Sequence, residues 1–561
     1  MSEHQPPAGT PEYLEYLEYG SGGPIPPEVP PVDPAGSKGH RRRAWWIGGG
    51  VVALLGVGAG AWAALSFFQQ GAQPAEALPA STVGYVSVDL DPSGGQKIDA
   101  FRTLNKFPAF KDEVGIDSVD QLRHKLGNEL VGSMDCAGLD YDSDIEPWLG
   151  DRMAAAAVPL EGGDPHLVVV VQVTDEDKAR TGIAKLNACD DSGTDAGVAI
   201  HDGWAVLAQS QKVADQVATA TDHGSLADDA TYQKWTKAVG DAGVVNAYAS
   251  PDAGRVLAKQ LGGLLSGQLF APDSMATASS YGVASSAYHA TAAGDGEDPF
   301  TQAMSGFKGG AATLRFTGDG LELAVAADGD SAQLSELTGT TGGELVRRLP
   351  DDSAVAAGTS LPDGWFSRYV DTMTQYSGGA LSREDVYRQI KQETGLEAPG
   401  DIDTLLGSGV AFSVGKDIDL EALGNSGDGT GLPIAATVKG DPDAIGAVLD
   451  KVRAHVGDLP LLGSDSADGL VVIGPTADYR TQVLTGGSLG GDATFRGAVP
   501  DAADAGSVFY VNVDALEPAL TKMAGSENAG DIDNLTPLRA VGMSVRTDGG
   551  VLHYSFKVTT D

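Results

Sequence analysis

Cysteine is almost missing from this chain: 561 residues hold two, Cys136 and Cys189. Neither has a Cys-x-x-Cys neighbour, which excludes a paired-thiol redox motif and a thiolate zinc site. Basic residues are scarce as well, 37 Lys and Arg against 77 Asp and Glu, for a formal charge of −40. Residues 1–43 take six of the acids and four of the bases, leaving 71 against 33 beyond the apolar stretch described below. So acidic a surface repels phosphate backbones, and nucleic acid is excluded as a partner. Histidines beyond the first 43 residues are His124, His166, His201, His223, His289, His455 and His553. None pairs at i, i+4 around a glutamate, so the zinc-peptidase pattern is absent. No cofactor signature is found either.

Long apolar runs are lacking too, with one exception. Ala44 to Phe68 carries no ionisable group and follows directly on Arg41, Arg42 and Arg43. About 20 apolar residues at 1.5 Å each cross about 30 Å of hydrocarbon, so the run is expected to be a single membrane-spanning helix with the lipid bilayer as its partner. The arginines place residues 1–43 in the cytoplasm and everything after Phe68 outside it, a single-pass cell-membrane topology. The rival reading is a cleaved secretory signal ending at Ala75-Glu76-Ala77, but the long polar tail and long core fit it poorly. Gly56 and Gly60 form a Gly-x-x-x-Gly that would permit a homodimer through the helix. The tail itself, Tyr-rich at 13–19 and Pro-rich through Pro34, cannot build a core and is expected to be disordered.

Beyond the helix, a linker (69–77) leads into two stretches with the same order of elements, 78–340 and 341–561. The first opens Leu78-Pro79 and the second Leu349-Pro350. Strands at Arg152 to Leu160 and Leu167 to Val173 match Gly409 to Val414 and Pro433 to Val438. Acidic helix starts follow, Asp175-Glu176-Asp177 against Asp441-Pro442-Asp443, where the helix dipole favours negative charge. Asp229-Ala230-Thr231-Tyr232 matches Asp492-Ala493-Thr494-Phe495, and both stretches close on a hairpin, at Gly318-Asp319-Gly320 and Asp548-Gly549-Gly550. The fold class is α+β: two tandem homologous domains, each a mainly antiparallel sheet backed by helices, behind one N-terminal transmembrane helix. A Gly, Ala and Ser-rich insert at about 257–307 distinguishes the first repeat.

The two cysteines lie on the expected oxidising side of the membrane, 53 positions apart. A disulfide would stabilise the fold by about 4 kcal/mol in the chain-entropy model, the alternative being two separate buried thiols. Asp140, Asp142 and Asp144 alternate in the manner of a calcium loop, although Ile145 replaces the turn glycine and Asp151 the bidentate glutamate. Gly486-Gly487-Ser488-Leu489-Gly490 has the Gly-x-Ser-x-Gly spelling of serine hydrolases but follows a helix, the wrong order for a nucleophile elbow. Gly409 to Lys416 fails as a phosphate loop because Asp417 stands where a magnesium-binding hydroxyl is needed.

The opening Leu78 to Asp91, LPASTVGYVSVDLD, with Trp148-Leu149-Gly150 and the strand–helix pattern after it, resembles a bacterial, actinomycete-type, membrane-anchored family known as domain of unknown function 3352. The resemblance implies location and architecture and carries over no catalytic residues. The expected function is therefore a non-enzymatic binding module of the cell envelope, taking another envelope protein, a wall polymer or an apolar ligand. Two alternatives stand beside it: an anchor that is structural or relays signals through the cytoplasmic tail, and an envelope hydrolase using dispersed acids such as Asp140 and Asp144.

Overall fold

The two-residue period of a strand shows in Leu149–Val158, which buries Gly150, Arg152, Ala154, Ala156 and Val158 and leaves the residues between them half-buried. The computed structural model describes residues 72–561 apart from 90–93, 109, 111–118, 134–135, 137, 161–163, 190–195, 255, 257–305, 330–338, 377–381, 419–429 and 525–534. The tail, the apolar run 44–68, Arg41, Arg42, Arg43 and nearly all of the insert lie outside the described residues. Among those described, no helix is long and apolar enough to cross a membrane.

The first half runs β1 (Gly84–Asp89), α1 (Gly94–Leu104), α2 (Val119–Ser133), β2 (Leu149–Val158), β3 (His166–Val173), α3 (Glu176–Ala188), β4 (Gly197–His201), β5 (Trp204–Ala208), α4 (Gln211–Thr221), α5 (Ala230–Val239), β6 (Val245–Ala249), β7 (Gly310–Thr317) and β8 (Gly320–Asp328). The second runs α6 (Thr341–Arg347), β9 (Ser353–Ser360), α7 (Trp365–Tyr376), α8 (Arg383–Thr394), α9 (Gly400–Leu406), β10 (Gly409–Gly415), β11 (Ile434–Lys439), α10 (Pro442–Val456), β12 (Ser464–Ala467), β13 (Leu470–Ile473), α11 (Ala477–Thr485), α12 (Ala493–Ala498), β14 (Ser507–Asn512), α13 (Val513–Ala524), β15 (Leu538–Asp548) and β16 (Val551–Thr560).

The spatial order of the first eight strands, β4-β5-β3-β2-β1-β6-β7-β8, is repeated by the second eight as β12-β13-β11-β10-β9-β14-β15-β16. The α+β, antiparallel reading holds. The described strands form one sheet of sixteen, because β8 pairs antiparallel with β16. Leu321 faces Val558 and Asp328 faces Val551. The two hairpin turns align Gly320 with Val551, so both halves present the same strand in the same register, an isologous contact within one chain.

Local chemistry repeats along with topology. Asp202 (φ 50°) with Gly203 and Asp468 (φ 52°) with Gly469 turn β4 into β5 and β12 into β13 through left-handed residues, which Asp and Gly tolerate best. Asp175 caps α3 and Asp441 caps α10, while Asp229 and Asp492 cap α5 and α12, each accepting backbone N–H groups of the first turn.

On one face of the sheet, Tyr85, Ala156, Val168 and Val170 pack on Val213 and Val217 of α4 and Trp235 of α5. In the second half, Ala356, Ala411, Val472 and Tyr510 of the same face pack on Val346 of α6, Val483 of α11 and Phe495 of α12. The opposite face is covered piecemeal. Val169, Val171 and Val173 meet Ile183 of α3, Phe316 meets Ala100 of α1, and Val438 and Val471 meet Ile445 and Leu449 of α10. The edge at β4 is blunted by Gln211, whose amide accepts from Val198 N (3.0 Å) and donates to Val198 O (2.9 Å), occupying groups that would otherwise pair with another strand.

Candidate functional site

Two regions carry chemistry that packing alone does not explain. The first is the segment Tyr141–Ile145, a turn of π-helix between α2 and β2, an irregularity frequent at functional sites. Glycines let two helices close on it. A Cβ on Gly127 of α2 would lie 2.4 Å from the Tyr141 ring, and one on Gly182 of α3 would lie 2.3 Å from the Asp144 carbonyl. Cys136 and Cys189 are joined in a disulfide with a Cα separation of 5.3 Å, tying the segment after α2 to the end of α3.

The three alternating aspartates separate within this turn. Asp140 caps it, accepting from Ser143 N at 2.9 Å. Asp144 accepts from Lys185 Nζ and from Asp140 N, and those two hydrogen bonds hold its carboxyl below the ordinary carboxylate range. Asp142 points elsewhere, with Oδ1 2.9 Å from Nδ1 of His124 on α2. Nε2 of the same ring lies 3.2 Å from Oε1 of Glu146. Among the described residues, the group whose potential ligand atoms lie within 4.8 Å of one another is thus His124, Asp142 and Glu146, without Asp140 or Asp144. Ile145, which replaces the calcium-loop glycine, is buried beside Trp148. Neither His124 nor Glu146 belongs to a short motif, since 22 positions separate them. The one local signal was Asp142 and Glu146 four apart.

The second region lies on the half-covered face of the second repeat. Phe412 of β10 and Phe509 of β14 both stand opposite Ala357 of the intervening β9, so all three side chains project from the same face. The phenylalanines are 42% and 37% exposed. With strands about 4.8 Å apart they stand about 10 Å from each other over a methyl floor. Val410, Thr359 and Ser507 extend this strip one way, and Val414, Val355 and Val511 the other. Thr359 and Ser507 share a hydrogen bond of 2.8 Å at one end. The result is a shallow groove, apolar at its centre and polar at one end. By contrast, the cavity among Val513, Leu520, Leu535 and Leu538 measures about 10 Å³, room for about one water.

The remaining sequence candidates sit in structural roles. Ser488 precedes the single 3₁₀ turn Leu489–Gly491 after α11, with Oγ 3.5 Å from Asp351. Gly409 to Gly415 is strand β10 itself.

These observations define an α+β protein built on one wide antiparallel sheet with helices on both faces. The chain belongs to the family described as protein of unknown function (DUF3352), which matches residues 47–417, about two thirds of it. The match begins within the apolar run and ends just beyond β10. No curated protein and no solved structure matches the chain.

Proposed function

We propose that this chain is a single-pass membrane protein of the cell envelope, anchored by residues 44–68 with residues 1–43 in the cytoplasm, whose extracytoplasmic part is a duplicated, non-enzymatic binding module. Its ligand is apolar and chain-shaped, held along β9 between Phe412 and Phe509. The uncharged run behind Arg41, Arg42 and Arg43 supports the anchor, and the Cys136–Cys189 disulfide suits an oxidising compartment. The repeated strand order supports the duplication.

The observation that carries the binding reading is the pair of exposed phenylalanines flanking Ala357 in register. Large apolar side chains on a sheet cost solvation free energy unless something covers them, and fully burying one is worth about 1.5–3 kcal/mol. A fluorescent long-chain fatty acid titrated into residues 72–561, which include all sixteen described strands, tests it. Saturable binding is expected, weakened at least about tenfold by Phe412→Ala with Phe509→Ala, since about 1.4 kcal/mol is a factor of ten. Ala357→Val, which fills the floor, should weaken it without unfolding the protein. Binding that is absent, or indifferent to all three changes, would remove the groove from the proposal.

A further inference from the structure

The geometry points to a binding site for a divalent cation of the zinc class at the π-helical turn, with His124 Nε2 and Glu146 as direct ligands and Asp142 as the carboxylate that orients the imidazole through Nδ1–H. The argument begins with proton counting. A neutral imidazole carries one N–H, yet both ring nitrogens of His124 face carboxylate oxygens, at 2.9 Å and 3.2 Å. With the N–H on Nδ1 directed at Asp142, Nε2 and Glu146 Oε1 are two acceptors facing each other at 3.2 Å. Either a second proton or a cation belongs there.

The spacing suits the cation. Zinc–nitrogen and zinc–oxygen bonds of about 2.0–2.1 Å at a tetrahedral angle separate two ligand atoms by about 3.3–3.4 Å, close to the gap observed. Asp142 behind Nδ1 reproduces the carboxylate–histidine–metal arrangement that fixes the tautomer and strengthens the ligand. Asn128 Nδ2 donates to the same Asp142 oxygen at 3.5 Å, and the Tyr141 ring stands edge-on to the imidazole at 6.3 Å. The approach of α2 to the turn through Gly127 and the disulfide after Cys136 hold the two ligand-bearing segments together without metal. An imidazole favours zinc or cobalt over calcium, which takes oxygen ligands alone. Water would complete the shell on the exposed side.

The test is calorimetric titration of the purified full chain with zinc chloride in a background of millimolar calcium, which competes for exposed carboxylates. One calcium-insensitive zinc per chain is expected. His124→Ala and Glu146→Gln should each remove it, and Asp142→Asn should weaken it about tenfold or more while leaving the stoichiometry intact. His201→Ala is the control, since His201 also lies between carboxylates, those of Asp202 and Asp222. Circular dichroism confirms that each variant folds, and the near-isosteric Glu146→Gln, at a half-buried position, carries the test should His124→Ala not. Zinc displaced by calcium, zinc retained by both ligand variants, or no zinc taken up at all would overturn the site.

Discussion

At three matching points of the sheet the two repeats carry different residues. Where β10, β9 and β14 present Phe412, Ala357 and Phe509, the register places Ala155, Val86 and Ala247 on β2, β1 and β6. Across the sheet from these points the repeats agree. Tyr248 and Tyr510 occupy one position, Leu226 and Leu489 another, and all four are buried. Packing constrains the first face, because an interior at crystal-like density registers the change of a single methylene. The other face, incompletely covered, was free to diverge. A wall–floor–wall pattern in one repeat set against small–large–small in the other shows where one copy of a duplicated scaffold acquired a surface of its own.

The comparison breaks most strongly in the shared core. Phe495 on α12 is fully buried and meets Tyr510 edge-on at 5.1 Å; its counterpart Tyr232 on α5 is only half-buried, between Tyr85 and Tyr248. Phe495→Ala should cost about 3–5 kcal/mol of unfolding free energy by denaturant titration, and Tyr232→Ala distinctly less. Equal losses would mean that the cores are closer copies than their burial indicates.

Next comes the disulfide, which only the first repeat possesses. Replacing Cys136 and Cys189 with alanine opens a 53-residue loop and should cost about 2–4 kcal/mol. The loss should also be local. Amide exchange should rise across residues 119–189 and stay unchanged in the matching segment 383–456. Uniform loosening of both would show that the continuous sheet couples the repeats more tightly than the covalent link distinguishes them.

How much of this was legible in the sequence depended on the range of the interaction. Asp175, Asp441, Asp229 and Asp492 announce their helices because a cap is satisfied within three residues. Order of elements and hairpin chemistry are equally local, and both were readable. The pairing of β8 with β16 was not, since it joins strands more than 200 positions apart and no short pattern encodes it. The start of β2 at Leu149 rather than Arg152 reflects an irregular register between Leu149 and Met153 that only the partner strand reveals. Asp142 was singled out with the wrong neighbours: alternation suggested Asp140 and Asp144, whereas the π turn consumes one as a cap and gives the other to Lys185. Phe412 and Phe509 read as ordinary strand residues because exposure belongs to the assembled sheet.

The smallest expected difference lies at the junction of the halves, where symmetry is broken by one ion pair. Asp319, in the turn between β7 and β8, accepts from Lys557 of β16 (2.9 Å to Oδ1) and from Thr317. The equivalents by turn alignment, Gly550 and Ala326, cannot form such a pair. Burial acts to raise the Asp319 carboxyl, but the hydrogen bonds from Lys557 and Thr317 outweigh it and hold it below its ordinary value. A folded-state carboxyl below its unfolded value of about 3.9 contributes stability that is present above that pH and is lost as pH falls through the folded value. Asp319→Asn should therefore flatten the acid limb of the stability profile below about pH 4, with neutral pH the condition of greatest difference from the parent protein. Because Asp319 is half exposed, added salt should shrink that difference. An acid limb unchanged by the substitution would mean that the junction is held by the β8–β16 ladder alone, and that the two repeats meet as symmetrically in energy as they do in register.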